Sequence, residues 1–248
     1  MRSIELESVS KYFRDFCAVD DVSFGVDREE IVGFVGPNGA GKSTCLKMLA
    51  TYLTPTRGKV AVEGLDSVES SLGVRRRIGY LSGDTPLYAQ MRVDRLVRFV
   101  AEARGLEGGD LRTGIERVVE VCGIEPVMTK RVSACSTGFR QRVGLATALV
   151  HDPAVLILDE PTHGFDPIQV LAFRETLEGL KAGRAILFSS HIIQEVSALS
   201  DRIVIINEGR ILADGPPGEL AKEAGRETTE MDEVFAHFVR SQPSESRV

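Results

Sequence analysis

The stretch Gly36-Pro37-Asn38-Gly39-Ala40-Gly41-Lys42-Ser43-Thr44 matches G-x-x-x-x-G-K-[ST] and constrains the fold more than any other feature of the chain. It stands between a β-rich run at 31–35 and a helical pattern expected from 42 to about 53. Glycines let backbone N–H groups turn inward around phosphate oxygens, and the start of the following helix adds partial positive charge. In such a loop Lys42 reaches the β and γ phosphates, the Ser43 hydroxyl holds Mg2+, and Thr44 supports the α and β phosphates. The loop therefore predicts nucleotide binding. Because unrelated enzymes share it, the loop does not choose the reaction.

Further β-rich runs at 59–62, 78–81, 155–158, 185–188 and 203–206 include continuous apolar stretches, as expected of strands buried on both faces of a mainly parallel sheet. With the helix after the phosphate loop, the layout is α/β. From about 86 to 150 the apolar residues fall at helical spacing, as in Leu96, Phe99 and Val100 and again in Ile115, Val118, Val119 and Cys122. This predicts a helical lobe inserted into the sheet domain, with turns at 105–110 and 123–126. The chain of 248 residues is thus expected to form one large domain at 1–220 and a short extension at 221–248. That extension reads as an amphipathic segment at 231–239, then a disordered Ser/Pro end.

A formal charge of −6 argues against a nucleic-acid partner held through phosphate contacts, which calls for a basic face. Cys17, Cys45, Cys122 and Cys135 lack C-x-x-C spacing, so idle thiols in a reducing interior are expected. The longest apolar runs fall far short of the roughly 18 residues that cross a bilayer. Glu5 and Glu7 follow Arg2 in place of an apolar leader, and the expected location is cytoplasmic.

The run Val155-Leu156-Ile157-Leu158 ends in Asp159-Glu160. At the carboxyl end of a buried strand, Asp159 is a candidate to hold Mg2+ and Glu160 to polarise an attacking water as general base. A second buried run ends in Ser189-Ser190-His191, where a neutral imidazole hydrogen-bonds a γ-phosphate and orients the water. His151, His163 and His237 lack such a context and read as structural.

The segment Cys135-Ser136-Thr137-Gly138-Phe139-Arg140-Gln141-Arg142, then His151-Asp152-Pro153, the acidic strand, Glu160-Pro161-Thr162-His163-Gly164-Phe165-Asp166-Pro167 and His191 follow one another in the order seen in ABC ATPases. The resemblance runs from Ile4 to about Leu220 and covers the signature motif, the second acidic motif, the D-loop and the switch histidine. It implies the P-loop NTPase fold of that family, with a mainly parallel sheet, an antiparallel β edge and the helical insert. It also implies a homodimer, or a pair with another ATPase subunit, that sandwiches two ATP molecules. Ser136, Thr137 and Gly138 of one subunit would face the γ-phosphate held by Lys42 of the other, because a helix start offers N–H donors and a favourable dipole.

Departures accompany the resemblance. Where the family commonly has Leu-Ser-Gly-Gly-Gln, this chain has Cys135 to Phe139, keeping the serine and the second glycine. The aromatic residue that stacks on adenine aligns with Phe13, with Tyr12 as the alternative. Gly83 falls where the family has a glutamine that touches Mg2+ or water and couples to the membrane partner; either Asp84 beside it substitutes, or the coupling is mainly mechanical.

The run 78–88 and the Ser-Thr-Gly signature resemble ATPase subunits of sodium-extruding and drug exporters. The implied partners are integral-membrane permease subunits, docking near 83–90, where Leu87 and Tyr88 belong either to the docking surface or to the core. The implied location is peripheral, on the inner face of the cell membrane. A soluble ABC-type ATPase of DNA repair or translation is the alternative, although its long coiled-coil insert or tandem cores are missing. A GTPase or small-molecule kinase is disfavoured because D-x-x-G and N-K-x-D are absent.

Overall fold

The computed structural model describes residues 2–83 and 87–241. Strands β1 (Arg2–Phe13) and β2 (Phe16–Asp27) pair antiparallel as a long hairpin. Next, β3 (Ile31–Val35) feeds the phosphate loop and helix α1 (Lys42–Leu49), which stops short of the predicted residue 53. After these come β4 (Arg57–Val62), β5 (Leu65–Asp66), α2 (Ser71–Arg77) and β6 (Ile78–Leu81). Helices α3 (Val93–Ala103), α4 (Gly108–Cys122) and α5 (Thr137–Leu149) precede β7 (Val155–Asp159) and α6 (Pro167–Lys181). The remaining elements are β8 (Ala185–Ser190), α7 (Ile193–Leu199), β9 (Arg202–Asn207), β10 (Arg210–Gly215), α8 (Pro217–Glu223) and α9 (Met231–Arg240).

Two sheets result. One is antiparallel in the order β2-β1-β4-β5, and it takes the run at 59–62. The other has the order β10-β9-β3-β8-β7-β6, parallel throughout except for β10, which runs against β9.

Strand periodicity explains the continuous apolar runs. Ile31 and Val35, Leu156 and Leu158, Ile186 and Phe188, and Ile203 and Ile205 face one core, which they share with α3, α4, α5 and the C-terminal helices. The intervening Val32 and Phe34, Val155 and Ile157, Ala185 and Leu187, and Val204 and Ile206 face a second core against the antiparallel sheet. Helix α1 contributes Cys45, Leu46, Met48 and Leu49 to that second core and contacts β2, β4 and β7. Full burial of each large apolar side chain is worth about 1.5–3 kcal/mol, so the helix carrying the phosphate loop is firmly set against the parallel strands.

The β1–β2 hairpin was not among the runs expected from the sequence. In β1 the buried apolar residues are Ile4 and Leu6 but then Val9, because an extra residue bulges at Ser8, which has φ +46°. A second bulge at Asp21, φ +50°, separates buried Val19 from Val22 in β2. Each bulge breaks the alternation that would have marked a strand.

All four cysteines are free. Burial pushes the thiols of Cys45 and Cys122 up to about 12, keeping them protonated and inert. No helix among the described residues is long and apolar enough to cross a membrane.

Candidate functional site

The carboxyl ends of β3, β7 and β8 converge, as parallel strands in register require, and the polar residues of the chain collect there. The turn leaving β3 passes so close to β9 that a Cβ at Gly36 would lie 2.1 Å from the Ile206 carbonyl oxygen. Gly41 caps α1 at φ +104°, a conformation that L side chains rarely adopt. These two glycines aim the start of α1 into a cleft of about 320 Å3. The cleft is lined by residues 38–44, by Glu160, and at its outer end by Ala18, Phe13 and Phe16.

Lys42 is 6% exposed, and its Nζ donates to the carbonyls of Gly36 at 2.6 Å and Pro37 at 3.2 Å. Burial lowers its pKa, opposed by the nearby carboxylates of Glu160 and Asp159. Its ammonium stands 3.9 Å from Glu160 Oε1.

Ser43 Oγ donates to Asp159 Oδ1 at 3.2 Å. The same carboxylate oxygen accepts from Ser189 Oγ at 2.6 Å. Glu160 follows with φ +49°, unusual for a residue other than glycine, and the turn carries its side chain round to the loop. Its Oε2 lies 2.9 Å from His191 Nδ1, and the carboxylate can only accept, so that nitrogen is the donor. Lys42, Ser43, Asp159, Glu160 and His191 are thus brought together in one chain.

Ser136, Thr137 and Gly138 are placed elsewhere. They form the start of α5, where Ser136 Oγ accepts from the Phe139 N–H at 3.3 Å. Ser136 and Thr137 are exposed, and neither they nor Gly138 is among the described residues lining the phosphate-loop cleft. Gly138 packs against the Gln169 side chain, which belongs to the capping box that Asp166 forms at the start of α6. A Cβ at Gly164 would stand 3.0 Å from Thr137 Cγ2, so the chain after Glu160 runs beside the signature segment.

Of the two aromatic candidates, Phe13 lines the cleft and is 44% exposed, while Tyr12 is not among the lining residues. Phe16, 53% exposed, faces the same space and was missed, although its place three residues after Phe13 across a tight turn was a usable signal. Two other contacts had no sequence signal. Ser189 lies between the acids, and buried Thr162 donates to Glu195 Oε2 at 2.6 Å, tying the segment after Glu160 to α7.

A Cβ at Gly83 would sit 3.4 Å from the Asp159 carbonyl oxygen, in ordinary contact, so the position borders the acids. Asp84 lies outside the described residues. Tyr88 is 59% exposed and meets Phe99 edge-on, whereas Leu87 is partly buried against the core. His151 Nε2 donates to the Ile78 carbonyl at 2.9 Å, away from the cleft.

Residues 19–163 match the ABC transporter family, and the chain belongs to it. It is 39% identical over 218 residues to the ABC transporter ATP-binding protein NatA of Bacillus subtilis, covering 86% of this chain and 89% of that protein. It is 36% identical over 240 residues to the probable multidrug ABC transporter ATP-binding protein YbhF of Escherichia coli. That match covers 95% of this chain and 41% of YbhF. A solved structure of an ATP-binding subunit of an ABC transporter superposes with a TM-score of 0.86 at 28% identity, over 95% of this chain and 99% of that one. The fold and the cleft are those of an ATP-binding, ATP-hydrolysing ABC subunit.

Proposed function

We propose that the chain powers an ABC exporter by closing on ATP as a head-to-tail homodimer, or beside a paired ATPase subunit, and reopening on hydrolysis. The observation that carries this reading is the division of the site. One chain builds a cleft for the triphosphate, yet holds the start of α5, with exposed Ser136 and Thr137 and buried Gly138, outside it. A helix start attracts phosphate, so a second subunit completes the cage with its Ser136, Thr137 and Gly138.

Within each cleft, the backbone of residues 36–41 surrounds the phosphates, and Lys42 exchanges its loop carbonyls for the β and γ oxygens. Thr44 supports the inner phosphates. Phe13 stacks on the adenine, with Phe16 on the same wall. The Ser43 and Asp159 oxygens converge at 3.2 Å, a pair of hard oxygen donors that would hold Mg2+. When bound, Mg2+ neutralises charge on the phosphate oxygens. Glu160 takes the proton of the attacking water, and His191 orients that carboxylate while contacting the γ-phosphate.

The cargo class is sodium ions or drugs, read from the signature and the 78–88 run and compatible with the multidrug name of YbhF. Permease subunits dock near 83–90, where Tyr88 is exposed, and hold the ATPase at the inner face of the cell membrane. The domain limits are read as 1–220, with a helical insert at 86–150 supported by α3 to α5 lying between β6 and β7, and an extension from 221, although that boundary falls inside α8, whose Leu220 and Ala221 share the main core.

The test is Glu160→Gln with ATP in a sizing experiment at high protein concentration, alone and with the permease. A nucleotide-loaded dimer is expected. A variant that retains ATP and stays monomeric in both cases overturns the shared-site reading.

A further inference from the structure

Ser189 is fully buried and stands directly across the parallel register from Asp159. Residues paired in this way project to the same side of a sheet. Its hydroxyl has a single proton, and its neighbours decide where that proton goes. Asp159 Oδ1, 2.6 Å away, accepts, while the Glu160 N–H, 3.1 Å away, can only donate. The hydroxyl therefore points at Asp159 and turns a lone pair to Glu160. The Glu160 N–H also reaches the Ser189 carbonyl at 3.2 Å, so one residue holds this N–H through both its side chain and its main chain.

Two constraints meet on this hydroxyl. Asp159 Oδ1 is shared between Ser43 and Ser189, which fixes the direction in which the carboxylate offers its other lone pairs. Glu160 begins at φ +49°, a backbone state that persists only where surrounding contacts enforce it. The Ser189 hydrogen bonds are such contacts, and His191 two residues later meets the outer end of the Glu160 carboxylate. Strand β8 and His191 just beyond it therefore hold Glu160 at both ends.

We infer that Ser189 is a positioning residue for hydrolysis, its buried hydroxyl setting together the orientation of the metal-holding Asp159 and the backbone from which Glu160 reaches its water. This rests on the roles proposed above for Asp159 and Glu160. Partners one bond removed from a metal commonly change affinity or activity by about 10-fold to 100-fold when removed.

The experiment titrates Mn2+ into the full-length protein with the β,γ-imido analogue of ATP, read by electron paramagnetic resonance. Metal-free binding of the analogue and steady-state kcat and KM are measured alongside. Ser189→Ala is expected to weaken Mn2+ binding about 10-fold and to lower kcat similarly, with metal-free binding and KM for ATP near wild type. Ser189→Cys, which keeps a small side chain with a weak donor, is expected to fall between the two, and it decides the matter should the alanine form not fold. Wild-type Mn2+ affinity in the folded variant, or an equal loss of binding with and without metal, overturns the inference. Asp159→Ala is the control for the underlying reading. If it leaves Mn2+ affinity intact, the metal assignment itself fails, whereas a loss there with none at Ser189 sinks only the positioning role.

Discussion

The cleft around α1 and the exposed start of α5 are both helix N-termini with phosphate-binding character, yet the chain treats them oppositely. In the cleft, Lys42 and Asp159 are 6% and 5% exposed, and their polar atoms are engaged by Gly36, Pro37, Ser43 and Ser189. At α5, Ser136 and Thr137 are exposed, and Ser136 supplies one side-chain cap for a helix start that leaves four N–H groups without intrahelical acceptors. The first region is organised before any ligand arrives. The second presents Ser136 and Thr137 to solvent while Gly138 is buried against Gln169, and it is the region proposed to act across an interface.

The largest effect expected from breaking this contrast is Glu160→Gln, which removes the proposed base without changing the size of the side chain. Steady-state hydrolysis should fall about 10^2-fold to 10^4-fold while equilibrium ATP binding persists. Near-normal turnover would take Glu160 out of the reaction. Lys42→Ala comes next. Loss of charge-assisted hydrogen bonds worth about 1.5–3 kcal/mol should weaken ATP binding roughly 10-fold to 100-fold in a calorimetric titration.

Ser136→Ala sharpens the comparison from the other side. It should cost about 1 kcal/mol of stability through the lost cap and impair dimer hydrolysis, yet leave ATP affinity of the monomer unchanged. Weakened binding to the monomer would mean that the two regions form a single site within one chain.

The smallest effect concerns the far end of α5, where His151 joins the helical region to β6. Burial chiefly, with the nearby Arg104 adding to it, pushes this imidazole down to about 4 from an ordinary 6.5. A depressed folded value means that the unfolded chain takes up the proton first. The stabilising contribution is thus whole above pH 6.5 and is lost as pH falls toward 4. Urea midpoints measured at pH 7.5 and 5.0 should show the decline, and His151→Gln should flatten it. An unchanged slope in that variant would assign the decline to other groups.

Legibility followed the range of the interactions involved. The phosphate loop, the acidic strand end and the helical region were readable because their chemistry is encoded in neighbouring residues: glycine spacing, an apolar run meeting two acids, and a 3.6-residue period. The β1–β2 hairpin was not, since bulges at Ser8 and Asp21 shift the inward-facing residue by one and erase the alternation. Phe16 was passed over because a single aromatic position was sought, while the hairpin presents two rings to the same cleft.

The sequence by itself determined the local geometry of phosphate capture, because Gly41 and Lys42 act on the backbone and helix to which they belong. Only the tertiary structure decided that Ser189 would stand between the two acids and that Thr162 would meet Glu195, contacts made across 30 and 33 residues of chain. Parallel strands bring such residues level only after the sheet has assembled, and no periodicity within either segment records the register of its neighbour.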